Sequence, residues 1–241
     1  MRGKMRAGIL SKPQSLAVKK IDIPAVGDND VLLKVANCGI CGTDLHLYMA
    51  NVVSPHPNGH EISGEVIEVG KNVYGFRKGD RVAVEINIYC GKCRFCLSGN
   101  YNLCMQYDWI GGLSFPGGNA EYLSIPSYTL HHLPDSLSFE EGALLEPLAV
   151  GVHAVRLAQV SPGSRMAILG SGTVGLTTLL AAKAYGALHS IVSAKYEHQA
   201  LMSEKLGADT IVRCASENLE ETVKKLTDNE GVDITFVAAA T

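Results

Sequence analysis

The chain has 241 residues, 46% of them hydrophobic and 19% charged, which supports one large domain or two modest ones and excludes a disordered chain. Its 21 Lys and Arg against 24 Asp and Glu leave a net charge of −3, a surface that does not attract phosphate backbones, so no nucleic-acid partner is expected. No apolar run reaches the roughly 20 residues of a membrane span, and no signal-type stretch follows the basic start Arg2-Gly3-Lys4-Met5-Arg6, so a cytoplasmic protein without a membrane partner is expected.

Residues 1–155 carry short apolar runs separated by Gly, Pro, Asn and Asp. Strands are predicted at 31–35, 62–69, 81–84 and 120–125, with turns at Gly27-Asp28-Asn29-Asp30, Gly79-Asp80 and 115–119. Cys38-Gly39-Ile40-Cys41-Gly42-Thr43-Asp44 reads as a Gly-rich loop, and Gly59-His60-Glu61 stands just before the second strand. Cys41, His60 and Glu61 offer a thiolate, an imidazole and a carboxylate from separate loops. Three protein ligands with one position free is the pattern of a catalytic zinc. Taken by spacing alone, the same residues also read as an ordinary polar His–Glu pair.

Cys90-Gly91-Lys92-Cys93-Arg94-Phe95-Cys96, followed by Cys104, has a different character. Four thiolates gathered by tight turns suit a closed, structural tetrahedral zinc, with Lys92 and Arg94 offsetting the excess negative charge. Beyond it, residues 139–158 read as a long helical linker broken near Pro147.

Over 156–241 the rhythm changes to strands alternating with helices: strands at 165–169, 190–193, 210–212 and 232–238, and helices at 174–185, 196–206 and 219–226, the second closed by Gly207. This implies a parallel sheet, and an α/β chain overall. Gly170-Ser171-Gly172-Thr173-Val174-Gly175 lies directly after a strand and before a helix, the setting in which G-x-G-x-x-G cradles a dinucleotide pyrophosphate on backbone N–H groups. The second strand ends in Ser193-Ala194-Lys195, without the carboxylate that binds a ribose 2′-hydroxyl. Ser193 and Lys195 are suited to a 2′-phosphate, so NADP(H) is the preferred cofactor and NAD(H) the weaker one; the other reading of Lys195 is a solvated lysine at a helix start.

Gly59-His60-Glu61-Ile62-Ser63-Gly64 with Gly70 and Val73, the segment 38–44, the four-cysteine lobe and the later Gly-rich turn together resemble, in order, the zinc-containing medium-chain dehydrogenase/reductase family. Residues 140–154, from Glu140-Glu141-Gly142 to His153-Ala154, are similar to its polyol branch, the sorbitol, xylitol and butanediol dehydrogenases; the alcohol dehydrogenases carry a cysteine where Glu146 stands. The resemblance implies a GroES-like catalytic domain over 1–155 and a Rossmann domain over 156–241. It implies one catalytic and one structural zinc, and hydride transfer between a polyol or secondary alcohol and NADP(H) or NAD(H). Cys41 and His60 are then zinc ligands, with Glu61 and Glu146 as carboxylates that bind the metal directly or through its water. Asp44 is expected to accept the second imidazole N–H of His60. Thr43 is implied to bond the substrate oxygen and His46 to pass its proton on; without the resemblance they read as a loop-capping hydroxyl and an exposed histidine. Leu47-Tyr48 stands where sorbitol dehydrogenases tend to place a tyrosine first, which argues against sorbitol itself and leaves the polyol class. A homo-oligomer, tetramer or dimer, is implied. Family members run longer, so the second domain is expected to be C-terminally incomplete, and the alternative is a truncated, non-catalytic zinc-binding protein that oligomerises with a partner.

Overall fold

The computed structural model describes residues 2–50 and 52–239; Ala240 and Thr241, at the chain end foreseen just after the last strand, lie outside them. The chain divides into two compact units, Met1–Glu146 and Pro147–Thr241.

The first unit opens with an antiparallel hairpin, β1 (Lys4–Lys12) and β2 (Ser15–Asp22). Over the first half of β1, Met5 and Ala7 are buried and Lys4, Arg6 and Gly8 less so, the period-2 alternation of a strand with one wet face. In chain order there follow β3 (Asp30–Gly39), α1 (Gly42–Met49), β4 (Glu61–Val69), β5 (Arg81–Val84), β6 (Asn87–Ile88), α2 (Arg94–Leu97), β7 (Asp108–Trp109), β8 (Tyr122–Pro126), β9 (Leu130–His132) and α3 (Phe139–Ala143). Five of the strands form an antiparallel sheet in the order β8-β3-β4-β5-β9. Its core gathers Val31, Leu33, Ile62, Val66, Val82, Ile110 and Ile125. Each such side chain, fully buried, is worth roughly 1.5–3 kcal/mol relative to exposure. The β3–β4 register matters most for the site. Cys38 stands opposite Ile62 and Gly39 opposite Glu61, so the chain leaving β3 passes beside the residues that open β4.

Of the loop predicted at 38–44, Cys38 and Gly39 end β3 and only Ile40 and Cys41 are loop; α1 begins at Gly42. Asp44 turns the chain, accepting the Cys41 N–H on Oδ2 at 2.9 Å. A glycine at the first helical position breaks nothing, because the first-turn N–H groups have no intrahelical partner. The helical stretch predicted at 139–158 is indeed broken, but at Leu144 rather than at Pro147. Ser138 caps α3, its hydroxyl accepting the Glu141 N–H while the Glu141 carboxylate accepts the Ser138 N–H. Pro147 falls in the first turn of α4 (Leu145–Leu157), where a missing N–H costs no hydrogen bond.

The second unit is built on a parallel sheet of β10 (Arg165–Leu169), β11 (His189–Ala194), β12 (Thr210–Arg213) and β13 (Ile234–Val237) in the order β12-β11-β10-β13. The crossovers carry α5 (Thr173–Ala184), α6 (Glu197–Lys205) and α7 (Leu219–Leu226). The central strands are near-continuous apolar runs because both faces are covered. Met166, Ile168 and Val192 pack with Leu179 and Ala182 of α5. Gly207 ends α6 with a φ of +87°, the left-handed conformation expected of a helix-terminating glycine. The chain adds β11 and β12 on one side of β10 and β13 on the other, so the strand order reverses at β10, a switch point at the carboxyl ends of the strands.

Candidate metal and dinucleotide sites

Cys41 is held at the start of α1, and His60 and Glu61 at the start of β4; one ligand atom from each lies within 4.8 Å of the other two. His60 and Glu61 are only 4% and 6% exposed. The Glu61 carboxylate lies where a side chain on Gly39 would otherwise be, so the bare backbone opposite it in the ladder makes its seat. Burial, followed by the nearby Asp44 charge, pushes the Glu61 carboxyl up. Burial followed by Glu61 and Asp44 drives Glu146 up to about 7. Burial also lowers His60, against the pull of Asp44. Glu146 is not among the three residues whose ligand atoms converge.

The expected hydrogen bond from His60 to Asp44 is not made. Asp44 Oδ2 faces the start of α1, and both Asp44 Oδ1 and His60 Nδ1 are buried without a partner. Among the described residues no basic side chain pairs with Asp44, Glu61 or Glu146. Buried carboxylates without a cation are held by metals or are protonated. A thiol, an imidazole and a carboxylate converging in such surroundings fit a divalent soft-to-borderline metal such as zinc. Thr43 is half-buried on α1, its hydroxyl oxygen 3.7 Å from Cys41 Sγ. His46 is exposed one turn further along the same helix.

Cys90, Cys93, Cys96 and Cys104 also converge within 4.8 Å. The sulfurs of Cys93 and Cys96 are 3.5 Å apart, and those of Cys90–Cys96 and Cys93–Cys104 are 4.0 Å apart. Tetrahedral zinc with Zn–S bonds of about 2.3 Å places its sulfurs about 3.8 Å from one another. Gly91 makes the bend between the first two with a φ of +70°. The backbone N–H groups of Cys96 and Met105 pull the Cys93 thiol down to about 6. These four donors fit a closed metal site.

In the second unit, Gly170 leaves β10 with a φ of +97°, and Gly172 has open space around it. Gly175 lies against the Gly170 carbonyl so closely that a Cβ would not fit. Gly172 is the N-cap of α5 and no side chain caps that end, which leaves first-turn N–H groups for an anion. Ser171, not singled out from the sequence, has a buried hydroxyl without a partner in this loop. The loop therefore fits a pyrophosphate. Thr173 and Val174 are exposed at the start of α5. Ser193 sits beneath the loop, 7% exposed, its Oγ accepting the Gly170 N–H at 2.9 Å. Lys195 is exposed, with its ammonium 5.4 Å from the centre of the Tyr196 ring.

Two further residues went unnoticed in the sequence. Gly39 seats Glu61, and Trp109 sets its indole edge-on to the His60 ring with centroids 5.2 Å apart. Neither has a spacing signal, because both act through the tertiary pairing.

These sites meet a known family. Residues 27–135 match the alcohol dehydrogenase GroES-like domain and residues 173–241 match the zinc-binding dehydrogenase domain. The sorbitol dehydrogenase of Bacillus subtilis is 37% identical over 98% of this chain, which spans 68% of that protein. An Escherichia coli oxidoreductase/dehydrogenase of unknown specificity superposes with a TM-score of 0.93 at 36% identity, over 99% of this chain and 71% of that one. A zinc-binding dehydrogenase of Sinorhizobium meliloti 1021 bound to NADP gives 0.90 at 34% identity, over 99% and 71%. The chain belongs to the zinc-binding, medium-chain dehydrogenases. It is a zinc-dependent oxidoreductase of the alcohol dehydrogenase class, with a GroES-like unit and a Rossmann-type unit. Among the described residues no helix is long and apolar enough to cross a membrane.

Proposed function

We propose that the chain interconverts a polyol or secondary alcohol and its ketone, using NADP(H) in preference to NAD(H), with one catalytic and one structural zinc per chain. The observation that carries this is the convergence of Cys41, His60 and Glu61 in an acidic, buried setting without a basic partner. Cys41, His60 and Glu61 hold the catalytic zinc, with Glu146 as the alternative carboxylate; Cys90, Cys93, Cys96 and Cys104 hold the structural one. When bound, the catalytic zinc supplies Lewis acidity that favours the ionised alcohol at neutral pH.

The protein's own groups do the rest. The Thr43 hydroxyl accepts the alcohol proton as it gives up its own, and His46, three residues on along α1 and open to solvent, takes the relayed proton and releases it to water. Burial of His60 and Glu61 keeps water from competing for the donor set. Gly170, Gly172, Thr173, Val174 and Gly175 cradle the pyrophosphate, while Ser193 fixes the loop from below. Ala194, 2% exposed, stands at the strand end where a carboxylate would reject a 2′-phosphate, and the exposed Lys195 follows it. The alditol and butanediol class of substrate is supported by the relative named sorbitol dehydrogenase and by Glu146 in place of a cysteine. The assembly we expect is a homo-oligomer, dimer or tetramer, measurable by light scattering.

The test is turnover of a panel of alditols and vicinal diols with each cofactor, on protein whose metal content is measured before and after chelation. Two zinc per chain, activity lost on chelation and restored by zinc, and a higher kcat/KM with NADP⁺ are expected. Full activity in metal-free protein, or a clear NAD⁺ preference, overturns the respective part.

A further inference from the structure

The β6–β7 ribbon is the stem of the four-cysteine lobe. β6 ends at Ile88, just before Cys90, and β7 begins at Asp108, just after the segment that carries Cys104. The stem is fastened to the core, with the Ile110 N–H donating to the Ile86 carbonyl at 3.0 Å and Ile110 fully buried. What this return limb carries is unusual for a structural lobe. Trp109 stands on it, paired with Asn87, and its indole meets the imidazole of His60 edge-on at 79° and 5.2 Å. The indole also lies against Gly112, where a Cβ would come within 2.8 Å of the ring. A side chain at residue 112 would push the indole, so the glycine leaves the ring room beside the imidazole. Tyr107, on the same limb, lies within electrostatic reach of Glu146, one of the charges that act on its phenol after burial and Asp108.

His60 Nδ1 has no hydrogen-bond partner, so no polar contact at that atom fixes the ring. The ring does carry an aromatic contact, from the Trp109 indole. An edge-to-face pair of this kind is worth about 0.5–1.5 kcal/mol beyond the area it buries, and the orientation of a ligand histidine is ordinarily set by its outer partners.

We propose that Trp109 is a positioning residue for the metal held at Cys41, His60 and Glu61, and that through it the four-cysteine site governs how firmly that metal is bound. A folded lobe holds the stem, the stem holds the indole, and the indole holds the imidazole. The inference rests on the zinc reading of both clusters.

Trp109 is the single tryptophan of the chain, so intrinsic fluorescence reports this one position. The experiment uses the full chain with Co²⁺ in place of zinc at the Cys41–His60–Glu61 site. It follows the cobalt absorption bands and the rate of cobalt loss to a chelator in wild type, Trp109→Leu and Trp109→Phe. In parallel, a mercurial reagent titrates the thiols of the cobalt-loaded wild type, Cys41 and Cys214 included, while tryptophan emission, zinc release and the cobalt bands are recorded together, so that zinc released with the cobalt bands intact marks demetallation of the lobe alone. Cobalt loss about tenfold faster in Trp109→Leu, with altered bands and recovery toward wild type in Trp109→Phe, is the expected result. Metal release from the lobe should shift the Trp109 emission before the far-ultraviolet signal of the fold changes. Wild-type cobalt loss and bands in Trp109→Leu, or emission unmoved by lobe demetallation, overturn the proposal alone. Failure of wild type to take up cobalt at Cys41, His60 and Glu61 overturns the metal reading, and the proposal with it. The fluorescence arm needs no variant, so a misfolded Trp109→Leu does not shelter the idea.

Discussion

Substituting Gly39 by Ala tests whether the donor set is built in advance of the metal. The added Cβ would fall on the Glu61 carboxylate and within 3.0 Å of Glu61 Cβ and Cδ. Glu61 is 6% exposed and cannot swing out to water, and Gly39 and Glu61 are locked opposite each other in the β3–β4 ladder. Overpacking of this kind costs about 1–3 kcal/mol. The strain falls on the proposed ligand Glu61, so part of it is expected as lost metal affinity. A displaced ligand or ligand support lowers affinity by about 10–100-fold, which is about 1.4–2.7 kcal/mol. The assay is zinc retention against a chromophoric chelator, paired with thermal melts of zinc-loaded and zinc-free protein. Gly42→Ala is the control from the same segment. Nothing lies within 4 Å of its added Cβ, and it stands at the first position of α1, so it should be neutral or stabilising by up to about 1 kcal/mol. Wild-type zinc affinity in Gly39→Ala would show that Glu61 is not seated on this glycine and that the reasoning from the ladder to the ligand is wrong.

Other outcomes follow from single contacts. Cys93→Ser removes a thiolate that the backbone has already acidified, and metal analysis should fall from two zinc per chain to one. Lys195→Ala should lower kcat/KM for NADP⁺ by about tenfold, a modest charge-assisted contact, and leave NAD⁺ little changed; equal losses would assign the lysine to folding. Asp209 gives the pH test. Burial works to raise its carboxyl, but the Ser190 hydroxyl and the Lys183 ammonium, bonded to it at 2.7 and 3.0 Å, outweigh burial and hold it below the usual carboxylate range. A carboxyl depressed in the folded state stabilises above its unfolded pKa of about 3.9 and loses that contribution as pH falls through the folded value. Asp209→Asn should therefore lower the melting temperature at pH 7 and approach wild type in acid; a constant difference across that range would refute the linkage.

What the sequence disclosed depended on how local the physics was. The lobe at 90–104 was legible because its four converging sulfurs come from one short segment, and spacing alone encodes that. The β10–α5 turn was legible for the same reason, since strand, glycines and helix follow one another within a single crossover. The central strands β10 and β11 matched because both their faces are buried and the apolar runs have no competing pattern. The hairpin of β1 and β2 was not read: Lys4 and Arg6 do alternate with the buried Met5 and Ala7, but Gly8 breaks the run and β2, with Lys19 and Lys20 side by side, buries no residue. The start of α1 was missed because Gly42 looks like a loop residue until Asp44 is seen to cap Cys41 from within the first turn.

The convergence of Cys41, His60 and Glu61 marks the other limit. Cys41 and His60 are far apart in the chain, and only the β3–β4 register makes them neighbours. No residue between them signals that pairing. Recognition of the segments 38–44 and 59–64 supplied it, and the ladder now supplies the cause. The same ladder reaches beyond the ligands. It puts a bare glycine opposite the carboxylate, where any side chain would compete with the metal for the donor. Trp109 reaches the imidazole by a different route, through the stem of the lobe and the buried Ile110 that anchors it. Each donor on β4 thus has its own support, one from β3 and one from the lobe. If this is so, Gly39→Ala and Trp109→Leu should weaken metal binding independently and add in the double variant, as separate supports do. A loss in the double variant no greater than in either alone would mean that both act on one shared displacement of the β4 terminus.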